Sequence, residues 1–118
     1  MRKIEFYQSG AGRSPVREFL DGLSAREARR VWCLLDAVRT LDSLPADYQE
    51  ALGGPGELWE LRAEQGARMV RLLACTRGAR LLVLVCGVGT RSRGVSGHEI
   101  ALAQRRRRDH WERSRRDG

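Results

Sequence analysis

GELWELRAEQGARMVRLLACTRGARLLVLVCGVGTRSR, residues 56–93, carries the alternation of apolar and polar side chains that decides the fold. We predict three strands in it, at about 57–63, 68–75 and 79–88. The turns between them, EQGA and TRGA, are short enough for antiparallel hairpins. The third strand, LLVLVCGV, is continuously apolar, so we expect it to lie centrally in the sheet.

One strand and two helices are predicted before this stretch. RKIEFYQS alternates apolar and polar residues, which is typical of a strand. SPVREFLDGL predicts a short helix with Ser14 as its N-cap and Pro15 at its first position. Ser24 and Glu27 form an S-x-x-E capping box that starts a second helix. The predicted apolar face of that helix consists of Ala28, Val31, Trp32, Leu35 and Val38.

The other segments complete a single predicted domain, residues 1–118. LPADYQEALGGPG predicts a loop because of its Pro and Gly content. HEIALAQRRRRDHWERSRR predicts a last helix, with Ile100, Ala103 and Trp111 on one stripe and a frayed tail beyond about residue 113. The expected order is β-α-α-β-β-β-α. This is an α+β fold, with a helical hairpin and a C-terminal helix packed on a mostly antiparallel four-stranded sheet.

The charge of the chain is positive and unevenly distributed. The formal net charge is +7, and residues 90–118 hold nine Arg against four Asp or Glu. This asymmetry favours an anionic partner, with nucleic acid first. The alternative is a GC-rich genome that favours arginine codons, because Lys3 is the only lysine. No apolar run approaches a membrane span and no secretory signal is evident, so we expect a cytoplasmic protein.

The three cysteines, Cys33, Cys75 and Cys86, lie within apolar periods and form no C-x-x-C pair. We therefore predict buried, reduced thiols, and neither disulfides nor a zinc site.

The order of several motifs resembles that of a known family. The resemblance lies in SPVREFLDGL, LWELR, the R-x-x-R pair in RMVRLL, and VGTRSR before HEIALA. Together these motifs resemble the HigB-like branch of the RelE/ParE toxin superfamily, over roughly residues 3–112. The resemblance implies the toxin of a bacterial type II toxin–antitoxin module, of a phage-derived type. Relatives similar to RelE cleave messenger RNA, typically on the translating ribosome, without a metal ion or other cofactor. Relatives similar to ParE share the fold but attack DNA gyrase.

The same resemblance implies the partners of the protein. They are messenger RNA, the ribosome and a HigA-like helix-turn-helix antitoxin that neutralises the toxin and represses the operon. Operator DNA would be bound only through the antitoxin complex, and no membrane partner is expected.

Arginines on the predicted strands are the candidate catalytic residues. The resemblance assigns this role to Arg62, Arg71 and Arg91, with Arg93 as a second charge beside Arg91. A different register of the family selects Arg68 in place of Arg71. Because strand residues alternate between faces, at most one of these two lies on the face of Arg62. Guanidinium groups suit this chemistry because they donate to two phosphate oxygens and stabilise the charge of a five-coordinate transition state.

The alternative interpretation of each arginine is a surface ion pair, for which Glu57, Glu60 and Glu64 are available. A structure that scattered the arginines, or locked each one against an acid, would contradict the nuclease hypothesis and leave only a shared scaffold.

Proton-transfer groups are less evident, because arginine does not exchange protons near neutral pH. The loop DYQEALGGPGE has no lysine where relatives often have lysines, and the C-terminal third has no tyrosine. The remaining candidates are His98, Glu64 and Tyr48, of which His98, beside the TRSR loop, is the best placed. The alternative for His98 is an exposed histidine at a helix start, and we expect His110 to lie at the surface.

The basic last helix is the candidate nucleic-acid contact, through Arg105, Arg106 and Arg108 together with Arg68 and Arg93. It could instead bind an acidic antitoxin or form a solvated helix face. Three functions are thus left open: a messenger RNA endoribonuclease, a non-nuclease toxin and a plain nucleic-acid-binding module. The second would be a gyrase poison or a decayed toxin that binds only its antitoxin.

Overall fold

A computed structural model describes residues 2–40, 49–53, 58–78, 80–89 and 94–117. Over these residues the order of elements is β-α-α-β-β-β-β-α. The strands are β1 (Lys3–Phe6), β2 (Gln49–Gly53), β3 (Leu58–Gln65), β4 (Arg68–Arg77) and β5 (Leu81–Val88). The helices are α1 (Pro15–Asp21), α2 (Ala25–Thr40) and α3 (Gly97–Asp117). The predicted α+β class is confirmed.

The strand count differs from the prediction: the described residues form a five-stranded sheet in the order β1-β5-β4-β3-β2. β1 is parallel to β5 and the other pairs are antiparallel. The extra strand, β2, lies in the segment predicted as a loop. Its sequence QEALG has weak strand propensity, and its pairing with β3 shifts register between Ala51 and Gly53. Pairing along the edge of β3, which a sequence pattern does not reveal, therefore makes this segment a strand.

A β-bulge in β5 determines which residues face each helical layer. Leu73 pairs with Cys86 and Ala74 pairs with Leu84, so Val85 is the extra residue. Val85 and Cys86 consequently both join the core under α3, and the alternation of β5 is reset after them. β5 is an interior strand, as expected from its apolar sequence, although β4 holds the middle position of the described sheet.

The hairpin of α1 and α2 covers one face of the sheet. Its core includes Val16, Leu20, Val31, Leu35 and Val38, packed against strand residues Leu61, Leu72 and Leu84.

The predicted apolar face of α2 is confirmed except at Trp32, which is 47% exposed and lies beside the Phe6 ring. The inward stripe runs through Val31, Leu34, Leu35 and Val38, at i, i+3, i+4 and i+7. Trp32 follows Val31 by about 100° of helical rotation and so falls at the edge of that stripe. The neighbouring Cys33 is exposed for the same reason, so its predicted burial is wrong, whereas Cys75 and Cys86 are buried.

Helix α3 covers part of the other face. Ile100, Ala103 and Trp111 contact the core of this layer, as the predicted stripe requires. The helix continues to Asp117, although fraying was expected beyond about residue 113. None of the helices in the described ranges combines the length and apolar character needed to cross a bilayer.

Candidate functional site

Arg62 and Arg71 lie directly opposite each other on β3 and β4. Strand alternation places both on the face of Leu58 and Leu73, which is the face that carries α3. Arg71 is also the register partner of Val88, the last residue of β5. Two guanidinium groups from neighbouring strands are therefore held side by side on a rigid sheet.

A buried carboxylate joins the two arginines. Glu60 precedes Arg62 by two residues on the same face, and its side chain is 4% exposed. Its Oε2 forms an ion pair with Nε of Arg62, and its Oε1 lies 3.7 Å from Nε of Arg71. A carboxylate removed from water needs such partners, because an unpaired buried charge is costly. Glu60 thus holds the Nε edge of Arg62 and lies near that of Arg71 without hydrogen-bonding it.

A second carboxylate contacts Arg62 from the edge strand. Glu50 on β2 is the register partner of Glu60, so the two acids lie side by side. Nη2 of Arg62 donates to Oε2 of Glu50 at 2.5 Å, and the Glu50 side chain is 57% exposed. We call Glu50, Glu60, Arg62 and Arg71 the arginine–glutamate cluster. Its four formal charges sum to zero.

Arg68 lies on the opposite face of β4, with Val70 and Leu72. Its Nη1 is 3.5 Å from Oε2 of Glu27, at the start of α2. The backbone N–H of Ser24 donates to the Glu27 carboxylate and lowers the pKa of that group. The structure therefore separates the two candidate registers: Arg71 accompanies Arg62, and Arg68 contacts the helical hairpin.

The other candidates around this cluster are only partly described. Arg91, Arg93 and Tyr48 lie outside the described residues, as does Glu57. His98 is exposed near the start of α3, and the described contacts do not join it to the arginine–glutamate cluster. The Glu64 side chain is exposed on β3, and its backbone carbonyl accepts a hydrogen bond from Arg30.

The run of arginines in α3 divides between two faces of the helix. Nη1 of Arg106 donates to the backbone carbonyl of Val85 at 2.7 Å, at the β-bulge, and lies 3.4 Å from Sγ of Cys86. Arg106 therefore anchors α3 to the sheet, a contact that explains its position without nucleic acid. Arg105 and Arg108 are exposed, so they retain the predicted availability for a partner.

Sequence reasoning missed a polar junction between β1 and α3. The Tyr7 hydroxyl donates to Oδ2 of Asp109 at 2.5 Å, and Arg113 lies 3.1 Å from the same carboxylate. Burial raises the pKa of Tyr7. Tyr7 directly follows β1, and its ring is buried in the core under α3. The tyrosine itself was the available signal in the sequence. Its ring favours burial, and a buried tyrosine hydroxyl then needs a hydrogen-bond partner.

His110 is half-buried beside Trp111, with the two rings in an edge-to-face arrangement 5.5 Å apart. Its predicted surface position is therefore wrong, because α3 turns this residue towards the sheet. Burial lowers the pKa of His110.

One protein-family model matches residues 18–108, and its description is phage derived protein Gp49-like (DUF891). The matched segment begins in α1, ends in α3 and contains all four residues of the arginine–glutamate cluster. That family is associated with the toxins of toxin–antitoxin systems. No curated protein matches the chain.

Proposed function

Because the chain belongs to the Gp49-like family of phage-derived proteins, a family of toxins from toxin–antitoxin modules, we propose that it is a HigB-like toxin that cleaves messenger RNA. The observation that supports cleavage is the placement of Arg62 directly opposite Arg71 on one face of the sheet. In this proposal the substrate is messenger RNA on the ribosome. The partner is a HigA-like helix-turn-helix antitoxin, and the protein acts in the cytoplasm.

The proposed reaction uses the 2′-hydroxyl of the RNA as its nucleophile. Attack of the 2′-oxygen on the adjacent phosphorus forms a 2′,3′-cyclic phosphate and breaks the bond to the 5′-oxygen of the next nucleotide. The 2′-hydroxyl loses its proton, and the leaving 5′-oxygen gains one. The five-coordinate transition state carries additional negative charge on its oxygens, and Arg62 and Arg71 would donate to those oxygens from opposite positions on β3 and β4. Arg91 would add a third cation, and the His98 side chain would accept the 2′-hydroxyl proton or donate one to the leaving 5′-oxygen.

The ion pairs of the sheet arginines favour a second candidate function. Each of the three candidate sheet arginines that the structure describes pairs with an acid: Arg62 and Arg71 with Glu60, and Arg68 with Glu27. For these three, the condition given above for rejecting the nuclease hypothesis is met, whereas Arg91 and Arg93 lie outside the described residues. A cluster without net charge does not attract a polyanion by charge alone. This observation supports a non-nuclease toxin, either a gyrase poison or a decayed toxin that only binds its antitoxin.

Inducible expression in bacteria separates these functions. With the unchanged protein we expect growth arrest and new RNA 5′ ends. Arg71→Ala should reduce cleavage by about 100-fold, the usual effect of removing one transition-state donor. Arg29→Ala is the control, since it removes the same charge at an exposed position of α2, and it should leave cleavage within a few-fold of normal.

Other outcomes would redirect the proposal. Arrest with damaged DNA and intact RNA identifies the gyrase poison. Tight antitoxin binding without arrest identifies the decayed toxin. Thermal melting of each variant shows whether a loss of activity reflects unfolding.

A further inference from the structure

Two carboxylates contact Arg62, and they differ sharply in exposure. The Glu60 side chain is 4% exposed and also pairs with Arg71. The Glu50 side chain is 57% exposed, lies on the edge strand β2 and contacts Arg62 through Nη2. The two acids are register partners, so they approach the same guanidinium group from neighbouring strands.

This difference in exposure gives the two contacts different strengths. Moving Glu60 away from its partners would leave an uncompensated charge in a site shielded from water. The contact of Arg62 with Glu50 is the weaker of the two, because water solvates the largely exposed Glu50 carboxylate when the pair separates. An incoming anion can therefore displace Glu50 at small cost, whereas Glu60 stays in place.

A phosphate diester can use the Nη2 donor of Arg62 that Glu50 contacts. Carboxylate and phosphate oxygens both accept hydrogen bonds from the planar guanidinium fork. The Nε edge of Arg62 faces Glu60 and the Nη2 group faces Glu50, so a phosphate that binds Arg62 through Nη2 takes the place of the Glu50 carboxylate.

We propose that Glu50 is a built-in competitor for phosphate at Arg62, which an RNA phosphate displaces when the strand binds. This inference rests on the proposed RNA-binding function and deepens it. Glu50 lowers the affinity of the arginine–glutamate cluster for single phosphates and for arbitrary polyanions. Displacement frees Nη2 of Arg62 and leaves Glu60, Arg62 and Arg71 with a net charge of +1 in place of the zero net charge of the whole cluster.

Binding of a short 2′-O-methyl RNA oligonucleotide, which lacks the attacking hydroxyl, tests the inference. Fluorescence anisotropy should show that Glu50→Gln tightens binding by about two- to five-fold, the equivalent of a surface ion pair. The plot of log K against log salt concentration should steepen by up to about 0.7, as for one additional phosphate contact to a single strand. Asp21→Asn is the charge-matched control, at an exposed position of α1, and should change neither value appreciably.

A double variant separates local competition from a general charge effect. In an Arg62→Ala background the gain from Glu50→Gln should vanish, because the group for which Glu50 competes is absent. If Glu50→Gln still tightens RNA binding in the Arg62→Ala background, or tightens it no more than Asp21→Asn does, the inference about Glu50 is wrong. The proposed RNA-binding site is not contradicted by that result. If Arg62→Ala and Arg71→Ala leave binding of the oligonucleotide unchanged, the proposed site itself is wrong, and the inference with it.

Discussion

At Gly87, the absence of a side chain allows a helix to approach the sheet. A Cβ atom built on Gly87 would lie 2.2 Å from Cδ2 of Phe19, whose ring projects from α1 onto this point of β5. The β-bulge at Val85 is the reason that Gly87 faces α1, because the extra residue resets the alternation of the strand.

We predict that Gly87→Ala destabilises the fold by about 1–3 kcal/mol, since the Phe19 ring or the backbone must move to admit a methyl group. Gly89→Ala is the matched control, because a Cβ at Gly89 meets no atom within 4 Å. Urea unfolding of both variants measures the difference. Equal urea midpoints and equal m-values for the two variants would show that the Phe19 ring does not pack closely against Gly87 in solution.

The residue scale also shows how far a pattern can predict a site. Alternation along one strand correctly placed Arg68 and Arg71 on opposite faces, so that only one of them shares the face of Arg62. The sequence offered Glu60 as a partner in a surface ion pair. It did not predict that Glu60 is buried or that it also pairs with Arg71, because that contact depends on the register between β3 and β4. Ion pairs between side chains on different strands are therefore the part of the site that a single sequence does not reveal.

At the scale of elements, two helices begin with the same reciprocal pair of hydrogen bonds. The backbone N–H of Ser24 donates to Glu27, and that of Glu27 donates to the Ser24 hydroxyl, both at 3.1 Å. Ser96 and Glu99 repeat the arrangement at 2.9 and 3.1 Å. The first capping box was predicted and is confirmed. The second carries the same S-x-x-E spacing, but the prediction began α3 at the following histidine.

We predict that Ser24→Ala and Ser96→Ala each destabilise the protein by about 1 kcal/mol, because each leaves a backbone N–H of the first turn without its acceptor. Ser14→Ala is the control: Ser14 holds the N-cap position of α1, but its side chain makes no capping hydrogen bond. Its effect should be within about 0.5 kcal/mol. Thermal or urea unfolding measures all three, and a cost at Ser14 equal to the others would contradict the assigned caps.

The helices and strands whose own sequences are periodic were predictable, whereas a strand that forms only by pairing with its neighbour was not. The periodic runs predicted β1, α1, α2 and α3, and also the strands β3, β4 and β5. β2 was not predicted, because only its pairing with β3 makes this segment a strand.

At the scale of the whole molecule, one sheet separates two apolar cores. The hairpin lies over one face and α3 over the other, and Cys75 and Cys86 both lie in the core under α3. Burial raises the pKa of the Cys75 thiol to about 11, and it raises that of Cys86 as well. Both thiols are therefore kept in the unreactive protonated form while the sheet and α3 remain packed together.

We predict that iodoacetamide at pH 8 modifies only Cys33 in the native protein, because Cys33 is exposed and the other two thiols are buried. In concentrated urea all three should react at similar rates. Mass spectrometry of peptides after timed labelling distinguishes them. Rapid labelling of Cys75 under native conditions would mean that α3 leaves the sheet without global unfolding.

The parallel pairing of β1 with β5 has a consequence for synthesis of the protein. Lys3–Phe6 is synthesised well before its partner strand, which ends at Val88. The nascent chain must therefore keep β1 without that partner until β5 has been made, and long-range pairing of this kind also slows folding. The parallel edge of the sheet thus cannot close during synthesis before the segment that contains β5 has emerged.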